Sequence, residues 1–120
     1  LSGEGELGPA EPFIRFTPAM GYPDGMTTDN TGGLWVAHWG GGCVSRFNTR
    51  GELSHRLQLP CANITNLVFG GPNLNDLYIS SARCGLSTEQ LQSMPHAGSL
   101  FVLPQLPFKG APANLTSLLL

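Results

Sequence analysis

The chain has 120 residues, of which 41% are hydrophobic and only 12% charged, with a net charge of −2. That is too apolar for a disordered chain and long enough for one small domain, and six scattered Lys and Arg make no basic stripe for nucleic acid. No apolar run approaches the roughly 20 residues of a membrane-spanning helix, and the first residues lack the basic region and apolar core of a secretory signal.

Taken in order, residues 1–11 are rich in Gly and Glu and read as a loop or the end of a hairpin. Pro12–Thr17 reads as a short strand, and Pro18–Pro23 as a connection. Pro23-Asp24-Gly25 is turn chemistry that opens straight into an apolar run, so it aims the Asp24 carboxylate off the end of a sheet. Four strands follow: Gly25–Asp29, Gly33–His38, Cys43–Asn48 and Leu53–Leu59. Asn30–Gly33, Gly40-Gly41-Gly42 and Asn48–Gly51 separate them as turns, the pattern of an antiparallel meander. A second set comprises Thr65–Phe69, Asp76–Ser80 and Gly98–Leu103. Between its last two members, Ser87–Met94 reads as a helix, with a capping box from Ser87 to Gln90 and a stop at Pro95. From Pro104 the chain is irregular.

The three cysteines, Cys43, Cys61 and Cys84, are widely and irregularly spaced. They match neither a zinc nor a disulfide pattern, so they read as reduced thiols of a cytoplasmic protein. Asn63-Ile64-Thr65 and Asn114-Leu115-Thr116 fit the glycosylation pattern by chance.

The two strand sets align: Met26 with Leu67, Leu34 with Leu77, and Val44 with Leu100. The first two offsets sit within the period of about 40–45 residues that marks four-stranded propeller blades. The third is longer because the helix is inserted. The fold expected is therefore all-β, about two four-stranded antiparallel propeller blades with one short helix in a loop. Residues 1–20 read as the end of a preceding blade, 21–60 as one blade, 61–103 as the next and 104–120 as a tail.

Several strings stand together in order: Pro23-Asp24-Gly25-Met26-Thr27, Leu34-Trp35-Val36-Ala37-His38-Trp39-Gly40-Gly41-Gly42, Phe69-Gly70-Gly71-Pro72, Leu77–Arg83, and Pro95–Phe101. With them the chain resembles the C-terminal part of the regucalcin (senescence marker protein) and gluconolactonase family, from about Gly21 to Leu103. The resemblance implies a six-bladed propeller, of which this is a fragment, and a lactonase acting on sugar lactones. It also implies one divalent metal ion (Ca²⁺, Zn²⁺, Mn²⁺, Mg²⁺ or Fe²⁺) held by a Glu, an Asn and the Asp of the Pro-Asp-Gly motif. Only the last is present, as Asp24, which the resemblance also makes a catalytic base. The other ligands belong to missing N-terminal blades, so this chain alone is expected to be inactive.

Substrate-binding candidates follow from the repeat and the loops. Asn66 lies at the start of the strand equivalent to Asp24's, where the family usually has Ser. His38 and Trp39 begin one loop on the expected site face, and Arg83 begins another. Trp39 suits stacking on a sugar ring, Arg83 holding a carboxylate or hydroxyl, and His38 rim acid–base work. The alternative is a non-catalytic calcium-binding or interaction propeller, or an inactive fragment. A Glu before Gly-Pro and an Asn-Gly in upstream sequence would decide for the lactonase.

Overall fold

The computed structural model describes residues 5–114. After a 3₁₀ turn at Pro18–Met20, seven strands follow: β1 Tyr22–Thr28, β2 Leu34–Trp39, β3 Cys43–Phe47, β4 Leu53–Gln58, β5 Ile64–Gly70, β6 Asp76–Ser81 and β7 Leu100–Leu103. One helix, α1 (Thr88–Ser93), lies between β6 and β7. The strands form two antiparallel meanders, β1-β2-β3-β4 and β5-β6-β7.

Two expectations are corrected. The second sheet has three strands among the described residues, not four. Pro12–Thr17 joins no sheet. Its alternation serves packing instead: the Phe16 ring lies 4.5 Å from the His38 ring and 6.4 Å from Phe47, across the far face of the first sheet. The capping box is present, with Gln90 N donating to Ser87 Oγ at 3.2 Å and Ser87 N donating to Gln90 Oε1 at 2.9 Å.

The sheets pack through alternate residues, as the two-residue period of a strand requires. Trp35, Ala37 and Val44 of the first sheet meet Ile64, Leu67, Phe69, Leu77 and Ile79 of the second in one buried cluster. Trp35 stands edge-on to Phe69 at 5.5 Å and to Phe108 of the tail at 5.3 Å. Each such side chain contributes about 1.5–3 kcal/mol when fully buried. From residue 104 to residue 114 the chain is irregular apart from one bridge, Asp29 to Gly110.

The β1–β2 turn is built on a buried carboxylate. Asp29 Oδ1 accepts from Thr31 N (3.0 Å), Thr31 Oγ1 (2.7 Å) and Gly33 N (2.9 Å). Its Oδ2 accepts from Trp35 Nε1 at 2.8 Å and from Arg46 Nε at 2.7 Å. The Arg46 guanidinium also lies 4.5 Å from the centre of the Phe108 ring. Burial pushes the Asp29 carboxyl up, but the bonds from Arg46, Trp35, Thr31 and Gly33 outweigh it and hold the group well below its ordinary 3.8. Gly33 is required here because a Cβ would overlap the Arg46 guanidinium.

Candidate functional site

The starts of β1 and β5 lie at one end of the two sheets. Tyr22 pairs with Trp39, Trp39 bridges to Asn63, and Ile64 pairs with Ser81. The β2–β3 turn and the β6–β7 insertion therefore open at this same end. Among the described residues no helix is long and apolar enough to cross a membrane.

Both inner strands are irregular here. The register of β1 against β2 shifts between Pro23 and Met26, leaving Asp24 and Gly25 out of the ladder. That of β5 against β6 shifts between Ile64 and Asn66, leaving out Thr65. Such bulges re-aim side chains and terminate pairing. At the first one Asp24 is exposed, and its carboxylate has no hydrogen-bond partner among the described residues. At the second, Thr65 Oγ1 lies 2.7 Å from Ser80 Oγ.

The two bulges touch. An ideal Cβ at Gly25 would overlap the Asn66 side-chain amide and come within 2.7 Å of its Cα. Only glycine lets β5 approach β1 so closely, next to Asp24. Asn66 is exposed, and its Oδ1 accepts from Leu67 N at 2.9 Å.

The remaining candidates do not all gather here. Trp39 is half-buried at the end of β2. Arg83 is exposed just past β6, and a Cβ at Gly98 would meet its stem at 2.8 Å. No partner engages its guanidinium among the described residues. The insertion is fastened at its base: Ser81 Oγ donates to Ser99 O at 2.7 Å, and Asn63 Nδ2 donates to Cys84 O at 2.9 Å.

His38 is not on the rim. Its side chain shares the far face of β2 with Leu34 and Val36, by strand alternation, and it is fully buried under Phe16. Its Nδ1 lies 2.8 Å from Met20 O. Burial lowers its pKa below the ordinary 6.5; the Met20 carbonyl opposes this and the Arg56 charge adds to it. The ring is thus neutral at pH 7, with Nδ1–H donating to Met20, and it takes no part in the site. Ser80 is the polar neighbour that motif reading missed. It stands in the Leu77–Arg83 string without being singled out there, and in the ladder it pairs with Asn66.

The residues present fit one oxygen donor for a hard cation rather than a complete metal site. Asp24 offers a free carboxylate, and among the described residues no three His, Cys, Asp or Glu side chains come together.

The SMP-30/gluconolactonase/LRE-like region profile matches residues 2–83. The chain belongs to this family. Within it, the chain is 42% identical over 98 residues to L-arabinolactonase of Azospirillum brasilense, covering 82% of this chain and 32% of that protein. It is 43% identical over 93 residues to regucalcin of Danio rerio, covering 77% and 32%. Among solved structures it superposes on regucalcin of Agrobacterium tumefaciens, a calcium-binding protein, with a TM-score of 0.85 at 35% identity. That match covers 92% of this chain and 37% of the other. The two sheets are thus blades of a regucalcin-like propeller, and the chain spans about a third of the relatives it matches.

Proposed function

We propose that this chain is the C-terminal portion of a metal-dependent sugar lactonase that opens the ring ester of an aldonolactone. The observation that carries the reading is the free Asp24 carboxylate in a strand bulge, in a chain 42% identical to an L-arabinolactonase. Asp24 would hold one divalent cation together with ligands from blades outside this chain. When bound, such an ion polarises the lactone carbonyl and lowers the pKa of a water.

The chain's own contribution is proton handling. A water oxygen attacks the carbonyl carbon and its proton passes to the Asp24 carboxylate. The ring C–O bond then breaks, and the departing alkoxide takes that proton to give the open hydroxy acid. Trp39 would stack on the sugar ring, and Arg83 would hydrogen-bond a hydroxyl of the sugar or the carboxylate of the product. The unpaired cysteines support a cytoplasmic setting.

The test is Asp24→Asn in the complete enzyme. Asn preserves the volume and suits the bulge of β1 while removing one negative charge. The expected outcome is normal folding, much weaker divalent-ion binding by calorimetric titration, and lactone hydrolysis reduced about a hundredfold or more, the scale of a lost general base. Unchanged ion binding and hydrolysis would leave Asp24 as a structural residue of the β1 bulge.

A second reading is favoured by the Agrobacterium relative, which is described as a calcium-binding protein: a propeller that binds calcium without catalysis. It predicts that Asp24→Asn weakens calcium binding in a parent that hydrolyses no lactone.

A further inference from the structure

We infer that Asn66 is a specificity-determining residue that recognises a ring hydroxyl of the substrate through its side-chain NH₂; this rests on the lactonase reading above. The amide is oriented by its own strand. Leu67 N donates to Oδ1 at 2.9 Å, and a backbone N–H can only donate, so the bonded atom is the oxygen and the other end is a donor. That donor has no partner among the described residues.

Its place is set by Gly25. The Asn66 amide and Cα occupy the space a Cβ on Gly25 would need. The amide therefore sits against the residue that follows Asp24, with its oxygen end nearest Gly25, and the packing of one sheet on the other holds it there. Polar company lies on its other side, since the Thr65 and Ser80 hydroxyls are 2.7 Å apart and Ser80 Oγ is 3.5 Å from Asn66 O.

A sugar lactone differs from an unsubstituted lactone in its ring hydroxyls, whose oxygens accept hydrogen bonds. A fixed donor beside the reacting end discriminates between the two without touching the ester. One uncharged hydrogen bond at a partly open site is a modest effect, of about five- to tenfold.

The experiment is steady-state hydrolysis by the complete enzyme of D-glucono-1,5-lactone and of δ-valerolactone, the same ring without hydroxyls. Asn66→Leu removes the donor at similar volume, and Asn66→Gln keeps an amide but moves it by one methylene. Asn66→Leu also removes the acceptor of the Leu67 N–H, so a melting curve for each variant separates any loss of stability from the change in KM. We expect both to raise KM for the sugar lactone about five- to tenfold, with kcat within about twofold and KM for δ-valerolactone unchanged. An unchanged KM for the sugar lactone, or an equal rise for both substrates, overturns the inference while parental activity upholds the lactonase reading. A parent that hydrolyses neither lactone overturns both.

Discussion

Replacing Asp29 with Asn tests the claim that the first sheet is organised around a buried ion pair. Asn keeps the shape but turns one carboxylate oxygen into a donor. In one orientation its NH₂ faces Trp35 Nε1 and Arg46 Nε; in the other it faces the N–H groups of Thr31 and Gly33. Either way at least two donors oppose a donor. Arg46, whose side chain is 10% exposed, is left with an uncompensated charge, a loss of about 3–5 kcal/mol for a buried pair broken on one side. Arg46 retains Ser54 Oγ at 3.0 Å, Thr31 Oγ1 at 2.9 Å and the face of Phe108. That places the expected loss at the lower end, about 3 kcal/mol. With a urea dependence of about 1–3 kcal/mol per molar for small proteins, the midpoint should fall by roughly 1–3 M. Buried Trp35 supplies the fluorescence signal. The double variant Asp29→Asn, Arg46→Met should recover at least half of the loss, because removing both charges leaves neither stranded. A midpoint shift below about 0.3 M, or no recovery in the double variant, would refute the reasoning.

Acid should destabilise the chain in two stages. The lowered His38 pKa means that the unfolded chain takes up a proton first as pH falls below 6.5, so stability declines from there. The depressed Asp29 carboxyl contributes fully above its ordinary 3.8 and is lost as pH falls further, through its folded value. Melting temperatures from pH 8 down to pH 2 check the first stage in full and the onset of the second, and His38→Gln should abolish the first stage alone. Cys84 is exposed while Cys43 and Cys61 are buried, so one thiol per chain should react rapidly with an aromatic disulfide reagent and two only on unfolding. Equal rates for all three would contradict the burial. Among the described residues, Val68, Leu100 and Val102 on one face of the second sheet are 58%, 70% and 50% exposed and the outer strands β4 and β7 pair with no further strand, so the isolated chain should associate. Concentration-independent monomeric elution with cooperative unfolding would argue against this.

Local patterns were enough to read most of the strand order. The strand-like runs Leu34–Trp39 and Cys43–Phe47, the glycine turn between them, and the Ser87–Gln90 capping box depend on near neighbours, and each formed where its chemistry demanded. The repeat was legible for the same reason, since equivalent strands face equivalent surroundings. The motif around Asp24 also stood in the sequence, because its turn residues are contiguous. Tertiary structure decided the rest. Pro12–Thr17 reads like a strand but joins no sheet, and packs Phe16 on His38 instead. His38 reads as a loop-flanking rim residue until the pleat of β2 buries it. The Asp29–Arg46 pair spans two strands, and the Gly25–Asn66 contact spans two sheets. Neither leaves a local signal, because what selects those residues is the space and charge offered by a partner far away in the chain.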